Sequence, residues 1–167
     1  DLAQEAMKYY WRRISFFELK EYQLAEEDAK HNLKILDMCY DYAENDEDRQ
    51  LAEQYRVFVT GHRIQARALA YLDEDGHDEA VEEIRQGIVE IEAFLEKIGQ
   101  LDHLDDCPEL LFLREWESEV ETNRPRSPRE RLVAALQAAV EADKFELAAS
   151  LRDRLHSLET EQSGQEL

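Results

Sequence analysis

The sequence predicts an all-α protein made of antiparallel helical hairpins. Three observations carry that expectation. Among 167 residues there are only 5 Gly and 3 Pro, so few positions interrupt a helix. Ala, Leu, Glu and Arg dominate, and these side chains lose little freedom in a helix. Apolar residues recur three and four apart along most of the chain, the stripe of an amphipathic helix. Hydrophobic residues make up 43%, enough for a real core, and the length fits one domain plus an appendage.

The first helix is expected from Leu2 to about Leu19. It is unusually aromatic. Tyr9, Tyr10, Trp11, Phe16 and Phe17, with Leu2, Ala6 and Ile14, are expected to face a core rather than a ligand. The second helix follows Lys20-Glu21-Tyr22 and ends near Ala43, with Ala25, Ala29, Leu33, Leu36 and Cys39 or Tyr40 on its stripe. Asn45-Asp46-Glu47-Asp48 breaks that pattern. Asn45 or Asp46 can cap the next helix, and the extra acids suit its positive end. The third helix, from about Glu47 to Leu72, sets Leu51, Tyr55, Phe58, Val59, His62, Ala66, Leu69 and Leu72 along one side. Gly61 in its middle lowers helix propensity by about 1 kcal/mol relative to Ala, and so marks close packing against a neighbour. Gly76 is expected to end this helix in the left-handed conformation. The fourth helix has the clearest pattern: Ala80, Ile84, Ile88, Ile91, Leu95 and Ile98 step by threes and fours, and Gly99 closes it. After a polar link from Asp102 to Cys107, Pro108 opens a fifth helix in the first-turn position. Leu110, Leu111, Leu113 or Arg114, and Val120 carry it to about Thr122.

Within this body, Ala68, Tyr71, Gly76, Ala80, Ile84 and Gly87 have the spacing of the small and large positions of a tetratricopeptide (TPR) repeat, which they resemble. Phe16, Tyr22, Ala25 and Leu33 echo them one hairpin earlier. Arg67 stands where such a repeat is usually apolar, and the helices are long for one. A TPR-like pair of hairpins with a fifth packing helix is expected over residues 1–122; a plain up-down bundle is the competing fold.

Asn123-Arg124-Pro125-Arg126 reads as a linker. Ser127-Pro128-Arg129-Glu130 is a start signal: Ser127 caps, Pro128 takes the first helical position, and Glu130 completes a capping box. A second hairpin is expected over 127–160, with a fraying tail at 161–167. Leu132, Leu136 and Ala139 mark its first helix. Phe145, Ala148, Ala149, Arg152 and Leu155 mark the second. Ala142-Asp143-Lys144 between them is short enough to force the helices antiparallel. The small alanines let the backbones approach, leaving Phe145 as the one large plug.

The wording Leu136-x8-Phe145-Glu146-x-Ala148-Ala149-x-Leu151-Arg152-Asp153-x-Leu155 resembles the UVR motif. That motif is the helical hairpin shared by the UvrB and UvrC subunits of bacterial excision repair, and it occurs in some Clp-family unfoldases and in the McsA activator of a protein arginine kinase. The resemblance covers Arg131 to Leu158. In the family the hairpin docks proteins and has no catalytic residues. The resemblance therefore implies a protein-binding face formed by Leu132, Leu136, Phe145, Glu146, Ala148, Ala149, Leu151, Arg152, Asp153 and Leu155. Its partner would be a UvrB/UvrC-like subunit, a Clp unfoldase or a second copy, the last giving a homodimer. The Cys-x-x-Cys metal sites of McsA are missing here, which argues against a direct equivalent.

The net charge is −20, unevenly placed. Residues 1–123 hold 13 basic and 32 acidic side chains, net −19, whereas residues 124–156 hold 7 basic and 5 acidic, net +2. An acidic body repels phosphate backbones, so no direct nucleic-acid binding is expected. No apolar run reaches the roughly 18–20 residues that span a bilayer, and the first residues lack the pattern of a secretory signal. Cys39 and Cys107 are too few for a disulfide framework and fit buried thiols in a reducing cytoplasm. No phosphate loop, nucleophile elbow or zinc-binding His pair occurs. No cofactor is expected. The expected function is a non-enzymatic protein-interaction adaptor docking through this hairpin; the alternative is a metal-binding or catalytic helical protein using the loops Asp73–Asp78 or His103–Cys107. Neither loop has the organised ligand set that a metal site requires.

Overall fold

The structure, a computed structural model, describes residues 2–163; of 48, 51, 52, 159 and 161–163 it describes the backbone alone. Its helices are α1 (Leu2–Glu18), α2 (Tyr22–Asp41), α3 (Asp46–Asp73), α4 (His77–Lys97), α5 (Pro108–Asn123), α6 (Pro128–Glu141) and α7 (Phe145–Ser163). A short 3-10 turn, Leu101–His103, precedes α5. The described residues contain no strand, and the fold is all-α, with helices packed as antiparallel neighbours. Contacts group the chain into two compact units, one ending at Arg124 and one starting at Pro125.

One turn closes three hairpins. At the end of α1, Lys20 N–H bonds Phe17 O (3.1 Å) and Glu21 N–H bonds Phe16 O (2.8 Å). At the end of α3, Asp75 N–H bonds Leu72 O (3.2 Å) and Gly76 N–H bonds Tyr71 O (2.8 Å). At the end of α6, Asp143 N–H bonds Val140 O (3.1 Å) and Lys144 N–H bonds Ala139 O (2.8 Å). Each pair of bonds is a Schellman closure, which satisfies the last carbonyls and requires one left-handed residue. Lys20, Asp75 and Asp143 supply it, with φ of 59°, 60° and 55°. The expectation for Gly76 is thereby corrected by one position. Asp75 takes the positive φ, as Asp tolerates, while Gly76 has φ −80° and precedes α4. A Cβ on Gly76 would lie 3.1 Å from Tyr71 O, so the glycine is there for a close backbone approach.

In the first unit the second helix of each hairpin packs on the next helix: α2 on α3, and α4 on α5. Ile64, Ala68, Ala80, Ile84, Ile91, Leu110 and Leu113 form its centre. The period read from α4 holds, with Ala80, Ile84, Ile88, Ile91 and Leu95 all buried. Gly61 does mark a close approach, since a Cβ there would sit 3.2 Å from Glu109 Cγ on α5. Gly87 is tighter: a Cβ would meet Ile64 Cδ1 at 2.4 Å, so α4 approaches α3 through a bare backbone.

α1 and α3 differ from expectation. The aromatics of α1 do not form a buried stripe; Trp11 is 60% exposed and Leu2 is exposed too. The buried residue of α1 is Arg13. Its Nε donates to His62 Nδ1 (3.1 Å) and its guanidinium faces the Tyr10 ring. Burial lowers the Arg13 pKa to about 10. Burial first, and the Arg13 charge second, lower the His62 pKa to about 4. On α3, Tyr55 of the expected stripe is exposed, while Ile64 and Ala68, outside it, are fully buried. α3 has neighbours on both sides, so two faces are covered and a single-stripe reading finds only one. Leu51 lies outside the described side chains. α2 buries Glu26, Asp28 and Asn32 beside Ala25 and Ala29. Glu26 is held by Lys30 and Arg67, and Asp28 by Arg12. Arg67 also bonds Tyr71 Oη (3.0 Å), so this charged side chain answers a buried acid on α2.

Candidate protein-docking site

The hairpin of α6 and α7 starts as its sequence dictates. Ser127 Oγ accepts from Glu130 N–H (3.1 Å), and Ser127 N–H donates to the Glu130 carboxylate (2.8 Å). This capping box satisfies two otherwise orphaned donors. Pro128 occupies the first helical turn. The three-residue turn Ala142-Asp143-Lys144 then reverses the chain, and Ala148 N–H bonds Lys144 O (2.9 Å) as α7 begins.

The seam between the two helices is small. Ala139, Ala148 and Leu151 are buried, with Leu132 and Leu136 packed against them. Of the expected second-helix stripe, Ala148 is buried and Leu155 half-buried, but Phe145, Ala149 and Arg152 are exposed. Phe145 is therefore no plug: it is 68% exposed. The stripe is displaced because Leu151, three residues after Ala148, faces α6 in place of Ala149 and Arg152. Leu151 is larger and apolar, and burying it is worth more than burying a charged Arg152. Glu146 and Asp153 are exposed as well. Arg152 Nη2 donates to Asp153 (2.8 Å), so this pair is engaged locally.

The hairpin thus has a seam and two flanks. At about 100° per residue, Val133 and Val140 on α6 and Phe145, Ala149 and Arg152 on α7 stand on one flank. Val133, Val140 and Phe145 are exposed apolar side chains. The opposite flank is a groove lined by Pro128, Arg131, Leu132, Ser150, Asp153, Arg154, Ser157 and Leu158. Sequence reasoning found Phe145 but missed Val133 and Val140. Their signal was the seven-residue spacing, one position after the Leu132–Ala139 seam.

The acidic loops are solvated turns. Asp73, Asp75 and Asp78 are exposed, and His77 Nδ1 lies 3.1 Å from the Asp75 carbonyl of its own turn. His103, Asp105 and Asp106 are exposed, while Cys107 is buried, its thiol 3.4 Å from the Glu109 carboxylate and its pKa raised by burial. Among the described residues no three His, Cys, Asp or Glu side chains gather as metal ligands, and no helix is long and apolar enough to cross a membrane.

Residues 128–161 match the family model described as the UvrB/uvrC motif, UVR. The C-terminal hairpin carries a UVR motif, which is a protein–protein interaction module. No curated protein and no solved structure matches the chain.

Proposed function

We propose that this protein is a non-enzymatic adaptor, with a helical body and a separable C-terminal docking hairpin. The hairpin docks on a UvrB/UvrC-like repair subunit, on a Clp unfoldase or on a second copy of itself. The observation that carries this reading is the flank formed by Phe145, Val133 and Val140, apolar and exposed on a hairpin whose own seam is only a few side chains wide. Exposed apolar side chains gathered on one flank mark interaction surfaces. Phe145 is the large anchor of the type that dominates binding energy, and Arg152 lies on the same flank about two turns further along α7. Leu132, Leu136, Ala148 and Leu151 serve by holding the two helices together, and Phe145, Glu146, Ala149, Arg152 and Asp153 remain for the partner. The body's net −19 supports a role without direct nucleic-acid contact.

The test is capture of purified UvrB, UvrC and a Clp unfoldase, each offered separately, by the full chain and by a chain ending at Thr122. The expected outcome is capture, or self-association in a sedimentation run, that disappears with residues 123–167 while the shortened body still melts cooperatively. Capture by the shortened chain would place docking on the body and end this reading.

A further inference from the structure

We propose that the groove on the flank opposite Phe145 receives an acidic amphipathic helix of a partner protein, a second docking surface on the same hairpin. The inference rests on the hairpin being a docking module, and uses a different face of it. The groove is open to solvent, with a volume of about 900 Å³. Its floor is apolar, from Pro128, Leu132 and Leu158, and its walls carry Arg131 on α6, Arg154 on α7 and the hydroxyls of Ser150 and Ser157. Among the described residues Asp153 is the one carboxylate lining it, and Arg152 already holds that charge.

The pairing of arginines across the chain gives the occupant its charge. In the body, Arg12, Arg49, Arg56, Arg63, Arg67, Arg85, Arg114 and Arg124 all hold carboxylates. With twice as many acids as bases in the sequence, 40 against 20, that is the expected fate of an arginine. Arg131 and Arg154 depart from it, as the exposed Arg126 does: among the described residues neither guanidinium has an ion-pair or hydrogen-bond partner, and those of Arg131 and Arg154 line one groove. A guanidinium fork is shaped for bidentate contact with carboxylate. Two such forks flanking an apolar floor match a helix that lays an apolar side chain between two acidic ones, spaced three or four apart. Nucleic acid fits less well. Two arginines neutralise few phosphates, and a duplex carries one charge per about 1.7 Å past a body of net −19. A single acidic helix presents few charges, all engaged within the roughly 8 Å over which charges act at physiological salt.

The experiment titrates the ¹⁵N-labelled full chain with a fluorescein-labelled synthetic helix of Glu-Glu-Leu-Ala repeats, with a Lys-for-Glu peptide beside it. We expect saturable binding of the Glu peptide alone, weakened by added salt, with amide shifts at Ser150, Arg154 and Ser157. Arg131→Glu with Arg154→Glu should weaken it at least tenfold, and the milder Arg131→Gln with Arg154→Gln should weaken it by a smaller factor at unchanged helicity. Phe145→Ala should leave it unchanged, which separates this groove from the apolar flank. Absence of saturable binding would overturn the proposal. So would binding that survives the charge reversal, shifts confined to the Phe145 flank, displacement of the peptide by duplex DNA, or self-association abolished by the charge reversal, which would make the occupant a second copy.

Discussion

The body and the C-terminal hairpin open their second helices in the same way and then diverge. α2, α4 and α7 each follow a three-residue Schellman turn, and each starts with a ring: Tyr22, His77 and Phe145. Three residues on, each has a buried alanine at the helix crossing: Ala25, Ala80 and Ala148. In the body the ring is half-buried; Tyr22 and His77 belong to helices that have a further helix packed on them. Phe145 has the same position and is exposed. The arginines divide the same way, paired throughout most of the body and unpaired in the hairpin groove. A local sequence can therefore specify a turn and a seam completely and still leave a surface unfinished. In the body the next helix finishes it. In the hairpin, on this account, a partner does.

The comparison can be broken first at the body's centre. Ile84 is fully buried, so Ile84→Ala should cost about 2–5 kcal/mol of body stability. Urea unfolding followed by tryptophan fluorescence reads this unit alone, because Trp11 and Trp116 are the two tryptophans. Partner capture at native temperature should survive. A fall in capture that tracks the fall in body stability would mean that the two units are not energetically separate.

Gly87→Ala probes the bare approach of α4 to α3. The added Cβ would fall on the Ile64 side chain, and overpacking of this kind costs about 1–3 kcal/mol. An unchanged urea midpoint would show that Ile64 swings aside at little cost.

The body should also weaken on mild acidification through His62. Its folded pKa is lowered to about 4 by burial and by Arg13, against about 6.5 unfolded. Between those values the unfolded state binds the extra proton. The contribution is thus fully present above about pH 6.5 and is lost as pH falls toward 4. With the ring half-buried, a loss on the order of 2 kcal/mol is expected. His62→Gln keeps an acceptor for Arg13 Nε and removes the titration, so its melting temperature should fall less steeply from pH 6.5 to 4.5. Parallel curves for the two proteins would assign the acid sensitivity to other groups.

Much of this was legible in the residues. The alternation of threes and fours in α4, Pro108 at a helix start and the Ser127–Glu130 capping box are local, and local rules found them. The left-handed turn was placed one residue late, because the rule favours glycine and the chain uses Asp75 while keeping Gly76 for a close contact. Arg13, Glu26 and Asp28 escaped for a different reason. Their burial depends on partners 16 to 49 residues away, and no stripe announces a buried charge; the acids interleaved with Ala25 and Ala29 were the available sign. At the candidate docking site the motif picks out Phe145 but not its orientation, since nothing in Phe145-Glu146-Leu147-Ala148 says which side meets α6. The displaced seam through Leu151 decides that, and it exposes the ring.

The most direct test of the account uses Phe145→Ala. Association with the captured partner, or self-association, and melting of the body are measured on the same preparation, with Glu161→Ala as a control in a residue outside the described side chains. Burying a phenylalanine is worth about 1.5–3 kcal/mol. The account predicts that association falls at least tenfold, about 1.4 kcal/mol, while the body melts at its original temperature. Unchanged association with a large drop in the body's melting temperature would contradict it, because Phe145 would then be holding the hairpin to the body and not awaiting a partner.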